Sequence, residues 1–391
     1  LTQGTAGGDV LGVTANGVAG AVFGFGGADN IIGSALNDTI DGGAGDDTIT
    51  AGAGEDVIEG GADNDLIFGD TASTGAGAVG PGNVINGGSG HDTIHGGEAI
   101  DTVTGGTGDD VFIIGGIQAG DNIDGGGDSD VLDLSTHSNG WTVDLLAGSY
   151  TETVPFGGPF TITNVENVIG SDQDDSITGD GLANNISGGQ DNDTLNGGGG
   201  DDTLDGGSAA DTINGDAGND SIIGDGGNDL IDGGADNDTI DGGTGADTIE
   251  GGTGADVMTA GGGGFFDTFL LADGDSGVTT ATADIITDFT TTGDLIDLVD
   301  AGAAANYFEA DATTTAGDDI ATVEAAVAFA NGLAGAGTSF DATVQYIFVF
   351  DTAGGADGYL VMDNDLDGTA DEAIELTGLT TAAGFDFADI V

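Results

Sequence analysis

Large apolar residues recur along most of this chain with a period of nine. From Gly42 the sequence runs GGAGDDTIT, AGAGEDVIE and GGADNDLIF, and the eighth position of each unit is apolar. In this stretch those positions are Ile31, Ile40, Ile49, Ile58 and Ile67. The seventh and ninth positions are mostly polar, so each unit ends in a polar–apolar–polar triplet, the signature of a short strand with one buried face. The glycines before it predict a tight turn, because they accept positive φ angles and close backbone approach. Nine residues then make one turn and one strand, and two units return the chain to its starting side. Strands stack as two parallel sheets about 4.8 Å apart per coil, with the eighth-position side chains meeting in a thin core.

The frame extends back to Gly24, giving five contiguous units over 24–68. A second array, 78–133, has six units and a two-residue insertion at Ile114 and Gly115. The third, 170–259, has ten units without a break, and GGGFFDTFL follows at 262–270. Ten units make five coils, about 24 Å of solenoid. An isolated GTAGGDVLG at 4–12 places the start of the pattern near the first residue. In these 22 units the sixth position is Asp 20 times: Asp29, Asp38, Asp47, Asp56, Asp65, Asp92, Asp101, Asp110, Asp121, Asp130, Asp175, Asp193, Asp202, Asp211, Asp220, Asp229, Asp238, Asp247, Asp256 and Asp267. Asn83 and Asn184 fill the other two. Asp favours turns in general, but here it holds one register position while its neighbours vary. Stacked turns would bring these carboxylates and glycine carbonyls together, where Ca²⁺ takes six or more oxygen ligands.

Charge reinforces this reading. The 391 residues include 70 Asp plus Glu, three His and no Lys or Arg, for a formal net charge of −70. Self-repulsion on that scale opposes a compact state, so the neutralising charge must come from outside the chain. The same composition excludes a nucleic-acid partner, which needs cationic side chains, and speaks against anionic membrane surfaces. Catalysis by Lys, Arg or Cys is impossible, and Cys is absent altogether. No stretch is long and apolar enough to span a membrane. No secretory signal peptide opens the chain, which begins at Leu1, and the expectation is a processed product or a piece of a longer polypeptide.

Four regions follow: repeats over 1–133, a strand-rich interlude at 134–169, the main repeat array at 170–270, and a C-terminal cap at 271–391. The interlude contains WTVDLLAGSYT and FTITNVENVIG, whose alternation predicts strands in an inserted coil or hairpin. Residues 70–82 read as a surface loop. In the cap, 320–331 has helical spacing before Gly332, and 344–350, 358–363 and 373–377 read as strands. Asp363, Asp365 and Asp367 with Gly368 match the first half of an EF-hand loop, although Ile374 stands where that loop wants Glu. They are candidate calcium ligands, set against an acidic hairpin turn.

The repeats resemble those of the RTX, or hemolysin-type calcium-binding repeat, family. The segment ADIITDFTTTGDLIDLVD at 283–300 is similar to the one that caps RTX rolls in serralysin-type proteases. The resemblance implies an all-β fold: a parallel β-roll in two or three stacked arrays with a small α+β cap. It also implies folding on binding multiple Ca²⁺ and export by type I secretion machinery to the cell surface or medium. The C-terminal FADIV is similar to the tail of such substrates.

No catalytic constellation emerges. His91 and His95 lie four apart within HDTIH, but in a turn and strand rather than on a helix, and no third His is near. No GxSxG elbow is present. Thr194, Thr212, Thr203 and Thr239 face outward as in an ice-binding ladder, but Leu230 and Val257 interrupt it. The expectation is a non-enzymatic, extracellular, calcium-binding structural protein that assembles with itself into a layer, fibre or matrix, with cell-surface polysaccharide as a further candidate partner. The alternative is the calcium-folding and secretion cassette of a larger adhesin, toxin or hydrolase.

Overall fold

The computed structural model describes residues 1–12, 19–70, 81–97, 99–113, 121–152, 160–262, 266–271 and 284–287, together with the later strands 295–298, 307–311, 346–350, 358–362 and 372–376. Among the described residues there are strands and turns and no helix. They divide into two compact units, Leu1–Gln190 and Asp191–Val391.

In the first unit, alternate strands build two parallel sheets. One runs from Ala21–Phe23 through Thr39–Ala44, Val57–Ala62, Pro81–Ser89 and Ile100–Thr107 to Asn122–Gly127. The other runs from Val10–Gly12 through Asn30–Ile32, Thr48–Gly52, Leu66–Asp70, Thr93–His95, Val111–Ile113 and Val131–Asp133 to Asn167–Ile169 and Asn185–Gly189. Like positions pair, so Ile40 lies beside Ile58 and Ile58 beside Ile85. Slipping one residue would turn every apolar side chain outward. The eighth-position residues are the core, with Ile31, Ile49 and Ile67 at 0% exposure. Each such side chain contributes about 1.5–3 kcal/mol by leaving water. The fold is the predicted parallel β-roll.

The interlude is both the extra coil and the hairpin. Trp141–Asp144, Ser149–Glu152 and Phe160–Thr163 form an antiparallel block. Its two outer strands rejoin the roll in parallel, Phe160–Thr163 beside Asn122–Gly127 and Trp141–Asp144 beside Ser176–Thr178. On the opposite sheet, Val131–Asp133 passes through Asn167–Ile169 directly to Asn185–Gly189. At this level one sheet therefore carries two more strands than the other.

The second unit repeats the plan. Thr194–Gly199, Thr212–Ala217, Leu230–Ala235, Thr248–Thr253, Thr268–Leu271 and Leu295–Leu298 make one parallel sheet. Thr203–Gly207, Ser221–Ile223, Thr239–Asp241, Val257–Thr259 and Ile285–Ile286 make the other. Both sheets thus continue past residue 270 into the segment read as a cap. The alternation of Asp284 with Ile286, and the run Leu295–Leu298, extend the ladders although the glycine turns have ended. The predicted C-terminal strands form as Tyr346–Phe350, Gly358–Met362 and Glu372–Leu376 in antiparallel order. Glu372–Leu376 pairs in parallel with Ile285–Ile286, so that edge of the roll has a partner. The predicted helix at 320–331, most of the loop at 70–82, and Asp363, Asp365 and Asp367 lie outside the described residues.

Candidate metal centre

Each strand of the roll is entered through a turn that ends in the sixth-position aspartate. All twenty aspartates singled out by the register are buried, from 0% exposure at Asp101, Asp110, Asp130 and Asp256 to 6% at Asp267. One contact organises them. In most of them Oδ1 accepts the main-chain N–H of the sixth-position residue one coil earlier. Along one edge of the first unit, Asp29 donates to Asp47 at 2.7 Å, Asp47 to Asp65 at 2.8 Å, Asp65 to Asp92 at 2.7 Å, and Asp92 to Asp110 and Asp110 to Asp130 at 2.8 Å each. Along the other, Asp38 donates to Asp56, Asp56 to Asn83, Asn83 to Asp101 and Asp101 to Asp121. In the second unit the columns run Asp193, Asp211, Asp229, Asp247, Asp267 and Asp202, Asp220, Asp238, Asp256, Asp284. Asp284 was not among the predicted ligands. Its only sequence signal is the Asp-x-Ile spacing, without the glycine turn.

The second carboxylate oxygen is the informative one. Oδ2 of Asp29, Asp47, Asp56, Asp65, Asp92, Asp110 and Asp130 is buried with no hydrogen-bond partner, as is that of Asp211, Asp220, Asp229, Asp238 and Asp247. A buried acceptor left unmade costs about 1–3 kcal/mol, and more when charged. Except at Asp56, whose turn begins with Ala51, these oxygens converge on the first glycine of their own turn, where a carbonyl of the next coil also arrives. A Cβ placed on Gly60 would sit 2.5 Å from the Gly87 oxygen and 2.6 Å from Asp65 Oδ2. One on Gly224 would sit 2.5 Å from the Gly242 oxygen and 2.7 Å from Asp229 Oδ2. Glycine keeps this oxygen-lined space open.

Without a cation, burial makes many of these carboxyls harder to ionise. Burial lifts the Asp65, Asp130 and Asp238 carboxyls from 3.8 to about 7, opposed by the N–H bond from the earlier coil and reinforced by neighbouring aspartates. The same causes, burial first, lift Asp47, Asp56, Asp110, Asp211, Asp229 and Asp247 to about 6. No cluster of three or more His, Asp or Glu side chains is arranged around one point among the described residues. An ion here would draw one carboxylate per turn and take its other oxygens from backbone. That all-oxygen, flexible donor set fits Ca²⁺ and not the soft or imidazole-seeking metals.

A second, outer ladder was not foreseen. Side chains at the fifth position accept main-chain N–H groups from the following coil, in the sense opposite to the aspartates. Asp46 accepts from Asn64, Asn64 from His91, and Asp109 from Ser129. In the second unit Asp201 accepts from Asn219, Asn219 from Asn237 and Asn237 from Ala255. The enrichment of Asn and Asp before the sixth position was its only trace in the sequence. His91 belongs to this ladder, its Nδ1 accepting the Asp109 N–H at 2.8 Å. His95 instead stacks on Phe68 with ring centroids 4.5 Å apart. The two histidines therefore serve different neighbours.

Six segments match the RTX calcium-binding nonapeptide repeat (4 copies) family: residues 23–58, 44–73, 82–116, 178–213, 205–240 and 232–264. Among solved structures the chain is similar to the AlgE6R3 subunit of the Azotobacter vinelandii mannuronan C5-epimerase, at 22% identity over 56% of this chain and 78% of that one, with a TM-score of 0.23. No curated protein matches the chain significantly. The matched segments fall in both units and contain most of the column aspartates, with Asp121, Asp130, Asp267 and Asp284 outside them. Over these segments the chain carries RTX, hemolysin-type calcium-binding repeats, which bind multiple Ca²⁺ ions.

Proposed function

We propose that this is an extracellular structural protein that leaves the cell unfolded, folds when it meets calcium, and then assembles with copies of itself into a layer, fibre or matrix. The observation that carries the reading is the column of buried aspartate oxygens with no partner in a chain without Lys or Arg. The sixth-position aspartates whose second oxygen is left open act as the calcium ligands, one per turn, with glycine carbonyls completing each shell; Asp284 extends one column. Calcium bound only by the folded state stabilises it by mass action, and many sites add. The calcium-poor cytoplasm keeps the chain open for type I export.

The reading is of a scaffold rather than an enzyme, since the described residues are taken up by roll and ladder. Surface carboxylates outside the columns remain for calcium bridges between molecules. Circular dichroism with and without EGTA tests the folding step, and unchanged β content after chelation would sink it. Electron microscopy and light scattering in millimolar Ca²⁺ test assembly, and a strictly monomeric particle at every concentration excludes it.

A further inference from the structure

At one level of the first unit both aspartate columns are interrupted, by a neutral phenol on one edge and by a glutamate on the other. On one edge the next acceptor after Asp121 is a phenol. The Tyr150 hydroxyl accepts the Asp121 N–H at 2.6 Å and donates to the Asp121 carbonyl at 2.7 Å. One strand further, the Asp175 carboxylate is taken up by the N–H groups of Trp141 and Ser171 and by the Ser171 hydroxyl. On the other edge, Glu166 accepts the Asp130 N–H at 2.9 Å. In the following coil, Asn184 Nδ2 donates to the Glu166 carbonyl at 2.7 Å, so an amide N–H meets a turn carbonyl that a cation would otherwise engage.

The same level carries the two largest fully buried side chains, Trp141 and Tyr150. Trp141, Tyr150 and Phe160 are 1%, 0% and 8% exposed. Their rings meet at centroid distances of 5.8 and 5.6 Å, with His137 edge-on to Trp141 at 5.0 Å. Each such ring buries about 150–250 Å². The block is also local: Trp141–Asp144 and Ser149–Glu152 are joined by the turn 145–148, a loop short enough to close at low entropic cost.

We propose that the block of Trp141–Asp144, Ser149–Glu152 and Phe160–Thr163 is a calcium-independent folding core, on which the ion-dependent coils of the first unit assemble once calcium arrives. The proposal rests on calcium-driven folding of the repeats and adds an element exempt from it.

Hydrogen exchange with mass-spectrometric readout of the full chain, in EGTA and in calcium, tests it. In EGTA the amides of 141–152 and 160–163 are expected to stay protected while those of Thr203–Gly207, Ser221–Ile223 and Thr239–Asp241 exchange at the unfolded rate. Exchange at the unfolded rate throughout overturns the core and leaves calcium-driven folding intact. Protection throughout overturns both. Trp141 is the sole tryptophan, and its emission in EGTA should lie to the blue of the same chain in guanidinium. Phe160→Ala should abolish both signals in EGTA, and the milder Tyr150→Phe should reduce them. Unchanged protection in both variants overturns the role of the aromatic cluster.

Discussion

Asp238 accepts the main-chain N–H of Asp220 at 2.8 Å through one carboxylate oxygen and buries the other without a hydrogen-bond partner. Asp220 donates to Asp238, and Asp238 in turn donates to Asp256, so Asp238 is a rung in both directions. The first oxygen sets the spacing between coils. The second is costly until a cation reaches it. On the proposed function, stability and ion binding share this one side chain.

Asp238→Asn separates the two roles. The amide oxygen keeps the rung and the NH₂ group replaces the waiting ligand. The variant is expected to bind fewer calcium ions by metal analysis and to need more calcium to fold. The expected loss is about 1–3 kcal/mol at saturating calcium. An unaltered ion count and folding midpoint would remove Asp238 from the ligand set.

Gly60→Ala tests the open space at the turn. The new methyl would stand 2.5 Å from the Gly87 oxygen and 2.6 Å from Asp65 Oδ2, both in the backbone-lined cradle. Overpacking of this kind costs about 1–3 kcal/mol, and here it also displaces a ligand. Thermal unfolding in calcium should show a clear drop, and calcium affinity should fall with it.

Adjacent residues on one strand should respond very differently. Ile231 is 0% exposed and Leu230 is 49% exposed. Ile231→Ala is expected to cost about 2–5 kcal/mol, and Leu230→Ala to stay within about 0.5 kcal/mol. Denaturant unfolding in calcium measures both. Equal losses would contradict the two-sheet register.

Acidity should act in opposite senses with and without calcium. Folding raises the Asp65, Asp130 and Asp238 carboxyls from 3.8 to about 7 by burial, and Asp211, Asp229 and Asp247 to about 6. The ion-free folded state thus holds more protons than the unfolded chain, and its stability declines as pH rises through the window from about 4 to about 7. Calcium needs ionised carboxylates, so its affinity rises over the same window and its binding releases protons. Far-ultraviolet circular dichroism between about pH 5 and about pH 7 should show residual β content falling in EGTA. Over that range the calcium midpoint should move to lower concentration.

The period-nine pattern determines a great deal by itself. It names the inward residues, the turn glycines and the buried aspartates, from Asp29 to Asp267, because in a solenoid each coil meets its neighbour at the same register position. A contact between coils is thereby reduced to a spacing of 18 residues, as in the bond from Asp29 to Asp47. What the tertiary structure decided lies where that spacing fails or where direction matters. The pairing of Asp121 with Tyr150 crosses 29 residues, and that of Asp130 with Glu166 crosses 36. The first is no multiple of nine, and the second is twice the coil spacing although it joins neighbouring strands, because the antiparallel block resets which strands are neighbours. The opposed senses of the inner aspartate and outer fifth-position ladders are likewise invisible in one dimension. Composition shows that oxygens are plentiful. Only the stacking of one turn on the next shows which oxygen is satisfied by a backbone N–H and which is left facing the ion.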